Sequence, residues 1–519
     1  MSQPDFDVAV VGSGFAGTLT ALIARQLGLR VALIERGRHP RFVIGESSTP
    51  LADILWIELV QRYDLPRLAP LAKWGPWQRE LPHLPCGLKR GFTFFYHRAG
   101  EPFQDDDARS GQLLVAASSR DETADTHWYR PAFDAYLVGQ ALAAGVEYLD
   151  QTKLSTVAFS PAAATVTGSR LGRPAQLSAR FLVDASGPRG FLFRQLGLAE
   201  AEAVHAVPTQ SLYAHFRGVH RLDELGIPAG AEQAPYPPDD AALHHVFDGG
   251  WVWVLRFNHG LVSAGVAATD DLAARLNLSD GAPAWERLLN RFPTLRRQFA
   301  QAEPVTAFFH SPRLAFAAAQ ITGPRWALLP YAAGFVDPLL STGFPLSLLG
   351  IRRLANSLEH GLDAPGFSDG LARYAAATAA ELSAAQRLIG SLYATMNDFD
   401  CFRDLTLLYF AAAAYSEISR RLGRAELAGG FLLHDHPRFG PAARAACEFA
   451  WATRPPHKRS GEERRRLRQL VRDTIGPVDA TGLDRAERRH WYPVEAADLI
   501  AAAGKFGLTG CEMEAWANG

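Results

Sequence analysis

The chain opens on a near-continuous apolar run, Asp7-Val8-Ala9-Val10-Val11, and a second run, Val31 to Ile34, follows a helical stretch, Thr18 to Leu27. Runs that are apolar at every position belong to strands buried on both faces, so this opening predicts two parallel strands joined by a helix. Farther along, the period changes. Phe92 to Tyr96, Ser211 to Phe216, Trp251 to Phe257 and Val262 to Ala267 are alternating or β-rich segments of the kind found in antiparallel sheets. After about residue 366, apolar residues recur at three- and four-residue spacing, which predicts helices over Leu371 to Met396 and Phe402 to Leu422. An Ala-rich stretch, Val494 to Ala503, predicts a last helix, and the Trp491-Tyr492-Pro493 before it is expected to pack back on the body.

Between the first strand and its helix stands Gly12-Ser13-Gly14-Phe15-Ala16-Gly17, a dinucleotide fingerprint in its required context. Gly12 permits the tight turn, Gly14 lets the backbone approach a pyrophosphate, and Gly17 allows the helix to lie close on the sheet. The second strand ends in Glu35, about 20 residues beyond, where an acid accepts ribose hydroxyls. This pattern alone does not separate one dinucleotide from another.

Four later segments do. They are Ile44-Gly45-Glu46-Ser47-Ser48-Thr49-Pro50; Tyr129-Arg130-Pro131-Ala132-Phe133-Asp134, leading into an amphipathic helix that ends at Gly145; Ala179 to Gly187, containing Asp184; and Leu328 to Gly343, which runs into a helix through Leu346, Leu349 and Leu354. In that order the chain, over roughly residues 5 to 390, resembles the FAD-dependent halogenases and related flavin monooxygenases. The resemblance implies FAD, held by Gly12, Gly14, Phe15, Ala16, Gly17, Glu35, Glu46, Ser47, Asp184, Gly334 and Asp337. It implies a halide on the backbone N–H groups of Thr342 and Gly343, at a helix N-terminus with unpaired donors and a partial positive charge. Gly87 to Phe94 resembles the family's lysine-bearing strand, which makes Lys89 a catalytic candidate together with Ser341. Gly250-Trp251-Val252-Trp253 resembles the family's paired-tryptophan element, and indoles two residues apart share one strand face, here the substrate side.

The implied chemistry uses reduced FAD from a separate flavin reductase, with oxygen and a halide ion, to make hypohalous acid that passes Lys89 to an aromatic substrate. That substrate is a small molecule, free or carrier-bound, or a partner protein. The sequence departs from the family pattern at Leu255 and Arg256, where Ile and Pro are usual, and at Pro330-Tyr331, where Gly-Asp is usual. Leu340 stands where tryptophan-specific members carry a catalytic Glu, so phenols and pyrroles, already activated, are expected in place of free tryptophan. Two other readings stay open: direct hydroxylation of an aromatic molecule or of a partner's Trp side chain, and a non-catalytic FAD-binding scaffold.

The expected architecture is α/β: a glutathione-reductase-type FAD-binding domain from 1–84, 121–204 and 316–365, an inserted antiparallel β-sheet substrate domain from 85–120 and 205–315, and a helical C-terminal region over 366–519. Composition supports a large core, with 519 residues, 48% hydrophobic and 21% charged, and a net charge of −1 gives no general pull toward nucleic acid or an anionic membrane. The basic run Arg454 to Arg472 reads as a solvated helix face. The four cysteines lack metal spacing, His244-His245 and His434-x-His436 lack further ligands, and no metal is expected. With the first strand near Asp7, no leader is expected and a cytoplasmic setting is.

Because the chain has one dinucleotide fingerprint, already assigned, NADPH alone is expected to reduce the flavin poorly. Rapid-mixing spectra decide this: slow bleaching that an added flavin reductase accelerates is the expected result, and fast bleaching by NADPH alone contradicts it.

Overall fold

A computed structural model describes residues 3–228 and 234–518. Two large sheets organise it. The first orders its strands Thr322–Gly323, Trp326–Leu328, Arg173–Asp184, Phe6–Val11, Val31–Ile34 and Glu147–Leu149. Its centre is parallel, with Val8 opposite Val31 on one side and Phe181 on the other, and both faces are buried, as the unbroken apolar runs require. The strands Thr152–Phe159 and Ala164–Arg170 extend it as an antiparallel ribbon.

The glycine turn fixes how the first helix meets this sheet. Gly12 has φ +101°, and a Cβ there would stand 2.5 Å from the Ala185 carbonyl oxygen. A Cβ on Gly17 would overlap the Gly12 carbonyl oxygen and come within 2.9 Å of the Ala185 Cβ. The helix therefore begins at Phe15 and runs to Gln26, starting earlier than Thr18 because the fingerprint's last residues are already helical.

The second sheet runs Glu303–Pro304, Thr209–Arg217, Val262–Thr269, Gly250–Arg256, Ala242–Phe247, Gly91–Tyr96, Gln112–Ala116 and Trp491–Tyr492, with Phe309–Ser311 also pairing to Thr209–Arg217. It is not antiparallel throughout. Ala242–Phe247 joins Gly91–Tyr96 in parallel, and so does Trp491–Tyr492 with Gln112–Ala116. These junctions bring together distant stretches of chain, where no hairpin imposes the opposite direction. The expected single strand Gly87 to Phe94 is also two strands, since Cys86–Lys89 pairs with Asp125–Trp128 while Gly91–Tyr96 joins the large sheet. The break at Arg90 is held by hydrogen bonds to Asp240 and Ala117.

Helices Phe367–Tyr393, Phe399–Arg421, Phe439–Ala452 and Gly461–Ile475 follow. The stretch expected as one last helix is Ala496–Ala501 followed by a 3-10 turn, Ala503–Phe506. In the basic run, Leu467, Val471 and Ile475 are buried, while Arg464 and Arg468 pair with Asp398 and Asp404 at 2.7 and 3.1 Å. Part of that face is thus tied to the neighbouring helix. No helix among the described residues is long and apolar enough to cross a membrane.

Gly17→Ala forces backbone against backbone, so it is expected to destabilise the protein by about 3 kcal/mol or more. Thermal unfolding without added flavin reads this, and an unchanged melting temperature refutes the close-approach account.

Candidate functional site

At the end of the first strand, Gly14 presents an open Cα to two cations. A Cβ built there would lie 3.4 Å from Arg130 Nη2 and 3.9 Å from Arg41 Nη2. Guanidinium groups beside a glycine turn that opens a helix form a cradle suited to a pyrophosphate. Arg130 is held for this by a bidentate pair with Asp134, 2.9 Å at each oxygen, and by the Gly45 carbonyl at 2.9 Å. Phe15 and Ala16 form the buried start of the helix behind the cradle.

Glu35 is buried and accepts from the Ser13 amide (3.1 Å) and hydroxyl (3.0 Å), the Gly37 amide (2.9 Å) and Arg41 (3.2 Å). Burial alone would raise its pKa, but Arg41 and these donors outweigh it and hold the carboxyl below its ordinary range. An anionic acceptor thus stands where a ribose hydroxyl is expected.

The segment from Ile44 to Pro50 crosses between the sheets. The Glu46 carboxylate lies 2.9 Å from His215 Nε2, both fully buried, so Glu46 straps this segment to the second sheet. Ser47 bridges to His127, and its buried Oγ meets no protein partner, which leaves it fit to bond a ligand.

Three further residues expected at the cofactor have their side chains or Cα engaged within the protein. Asp184 is fully buried, with Oδ1 accepting from the Ser186 amide (2.8 Å) and hydroxyl (2.5 Å) and Oδ2 from the Leu192 amide (2.6 Å). It shapes the turn that carries Ala185 against the glycines. Gly334 packs on helix Phe367–Tyr393, where a Cβ would stand 2.7 Å from Leu382 Cδ1. Asp337 receives four donors: the Leu339 amide (3.0 Å), Trp251 Nε1 (3.3 Å), the Tyr393 hydroxyl (2.9 Å) and Thr209 Oγ1 (3.5 Å). Burial pushes its carboxyl up to about 6 against these donors. Its side chain therefore braces the turn from behind, and the turn's backbone is what remains to face a ligand.

That turn is strained. Leu340 and Ser341 have φ of 64° and 54°, left-handed values that cost about 1–3 kcal/mol each in a non-glycine residue. Helix Gly343–Glu359 then starts with Thr342 at its N-cap, Pro345 in its first turn and Phe344 stacked on Trp128 at 4.3 Å. Its first amides have no partner within the helix.

Lys89 ends its strand fully buried. Its amine donates to the Ser48 carbonyl and sits 3.9 Å from the centre of the Phe92 ring. Burial lowers its pKa to about 7, against a rise from Asp125 and Asp53. From Phe92 a wall of rings continues through His244 (5.9 Å) and Trp251 (5.1 Å from His244) to Asp337. Lys89 and the strained turn thus border one aromatic wall. Trp251 and Trp253 do share a face, with centroids 5.7 Å apart, whereas His244 and His245 point to opposite faces of their strand. Among the described residues no metal-binding cluster forms.

Sequence reasoning gave no role to Arg41, Tyr393, or the group Asp53, Lys73 and Asp125. Only Asp53 carried a signal, as a charge among the apolar residues Leu51, Ala52, Leu55 and Trp56.

The sequence profile of the FAD dependent oxidoreductase family matches residues 7–311. Tetracycline 7-halogenase of Kitasatospora aureofaciens is 30% identical over 347 residues, 65% of this chain and 60% of that protein. Monodechloroaminopyrrolnitrin halogenase PrnC of Pseudomonas fluorescens is 31% identical over 369 residues, 70% and 63% of the two chains. The alignments thus span less than two thirds of these relatives. The crystal structure of halogenase PltM in complex with phloroglucinol and FAD has the same fold, with a TM-score of 0.84, 24% identity, and coverage of 94% of this chain and 99% of that one.

Because only the tips of flexible side chains, Arg130, Arg41 and Asp134, lie near a Cβ at Gly14, Gly14→Val is expected to fold normally yet lose FAD, while Glu35→Ala retains it weakly. Flavin absorbance after gel filtration, beside a melting curve, reads both. Full FAD retention in a folded Gly14→Val protein would move the pyrophosphate elsewhere.

Proposed function

The chain belongs to the FAD dependent oxidoreductase family, and from that premise we propose that it is a halogenase of activated aromatic rings, phenols or pyrroles, with Lys89 as its proton-handling group. The carrying observation is a fully buried lysine at one end of an aromatic wall, where burial lowers its amine to about 7. Ordinary lysines carry a fixed charge at pH 7; this one can both give and take a proton there.

The residues around the glycine turn fit FAD: Arg41 and Arg130 for its pyrophosphate, Glu35 for its ribose, and Ser47 Oγ for a polar atom beneath the strap. FAD, once reduced by a separate reductase, supplies the oxidation of halide by oxygen. The amides of Thr342 and Gly343 hold the halide at the helix N-terminus. The Lys89 ammonium then donates a hydrogen bond to the oxygen of hypohalous acid. As the ring carbon takes the halogen, that oxygen accepts the proton and leaves as water. The neutral amine next removes the ring proton, restoring aromaticity and its own charge. Trp251 and Trp253 fill the wall and exclude water.

The substrate class rests on chemistry and on similarity. With Leu340 at the site of the tryptophan-specific Glu, the strained turn offers no carboxylate to assist a weakly activated ring. The structurally similar PltM was crystallised with phloroglucinol, a phenol. A 25% identical protein from Pseudomonas fluorescens is a 1H-pyrrole-2-carbonyl-[peptidyl-carrier protein] chlorinase.

Product mass spectrometry on a panel of phenols and pyrroles, with reduced FAD, oxygen and chloride or bromide, tests the reading. Wild type is expected to add halogen. Lys89→Ala and Lys89→Met are expected to lose about 100-fold or more of that product while flavin reoxidation continues. Lys89 is charged below about pH 7 and neutral above it, so halogenation is expected to decline as pH rises through that value. Oxygen insertion alone, or full product from the variants, rejects the reading.

A further inference from the structure

Behind Lys89 lie two buried carboxylates, Asp53 and Asp125, and a half-buried Lys73 that the reaction above leaves unused. Lys73 Nζ stands 2.7 Å from Asp125 Oδ1 and 3.0 Å from Asp53 Oδ2. The Ser48 hydroxyl donates to Asp53 Oδ1 at 2.5 Å, and the carbonyl of the same Ser48 receives the Lys89 amine. Lys89 and Asp125 are directly opposite on paired strands. Both carboxylates are buried, at 1% and 0% exposure, and Asp53 Oδ2 and Asp125 Oδ2 are both left without a hydrogen-bond partner. Two carboxylates this close and this deep disfavour carrying two charges.

We propose that Asp53 keeps a proton that it donates to Asp125 Oδ2, and that the single negative charge left on the pair, anchored by Lys73, sets the protonation of the Lys89 amine. The proton fills the unmet acceptor. Burial favours this form, since the Asp53 carboxyl is driven well above its ordinary range by desolvation, opposed by Lys73 and reinforced by Asp125. Lys73, which burial would depress, is held above its usual value by its carboxylate neighbours, and with Asp53 neutral it is Asp125 and Glu417 that keep it charged.

Of the other titratable groups that face the cluster, the imidazoles and the Tyr409 phenol are neutral, and Glu417 acts through Lys73. His127 on the Asp125 strand and His244 on strand Ala242–Phe247 are both pushed down to about 3, chiefly by burial, and are neutral at working pH. Glu417 of helix Phe399–Arg421 faces Lys73, with Arg421 beside it, and burial raises its carboxyl. Asp53 and Asp125 are thus positioning residues that act through Lys89. The inference deepens the halogenase reading and rests on it for its functional meaning, while the charge arrangement is measurable without turnover.

The chain contains five lysines, Lys73, Lys89, Lys153, Lys458 and Lys505, so NMR of protein labelled with 13Cε-lysine can follow Lys89 directly, assigned by its loss in Lys89→Met. In wild type its midpoint is expected near pH 7. Asp125→Asn removes the charge and is expected to lower that midpoint by one pH unit or more. Asp53→Asn imitates a neutral, donating Asp53 and is expected to leave it within a few tenths. The halogenation pH profile of Asp125→Asn should shift acidward by the same amount. If Asp125→Asn does not fold, Lys73→Met serves, and loss of the neighbouring ammonium should raise the midpoint. An equal fall in both asparagine variants, no fall in Asp125→Asn, or no rise in Lys73→Met overturns the proposal. A lysine titration as expected with no halogenated product overturns the halogenase reading alone.

Discussion

The pairing of buried polar groups at the seam between the two sheets is the constraint on which the rest of the arrangement depends. An unpartnered buried charge or amide costs several kcal/mol, so most charged groups here are bonded within the protein. Glu46 meets His215, Trp251 and Tyr393 meet Asp337, and Lys89 meets Ser48. Each of these contacts joins separated stretches of chain, and the first two tie connecting segments to the second sheet through His215 and Trp251. The strained turn at Leu340 and Ser341 persists because Asp337, fixed by four donors, anchors it.

The first sheet was legible because its physics is local. Valine and isoleucine runs, a glycine turn and a helix lie in one short stretch, and each residue's role follows from its immediate neighbours. The glycines at 12 and 17 can even be assigned in advance, because close approach demands the absence of a Cβ whichever partner supplies the contact. The paired indoles of Trp251 and Trp253 were legible for the same reason, since alternation alone puts them on one face.

What remained hidden depends on long-range geometry. Asp184 and Asp337 turn their carboxylates onto neighbouring protein groups and Gly334 packs on a helix, and sequence cannot say which way a side chain points from such a position. Arg41 and Lys73 carry no motif or spacing signal in the sequence. Their importance comes from partners brought near by the fold, Glu35 for one and two aspartates for the other. The division of Gly87 to Phe94 into two strands was equally hidden, because the residues on both sides are good strand formers and only the hydrogen bonds of Arg90 to Asp240 and Ala117 separate them.

The strand Trp491–Tyr492 carries a consequence for biosynthesis. It covers the outer edge of Gln112–Ala116 with Trp491 opposite Leu114, and Trp491 Nε1 donates to Gln112 at 3.0 Å. On the ribosome, the rest of that sheet emerges long before its last strand. Throughout that interval Gln112–Ala116 is an open, apolar edge able to pair with any other extended chain. Polysome-bound and prematurely terminated chains are therefore the forms of this protein most exposed to self-association, and completing synthesis is what removes the hazard.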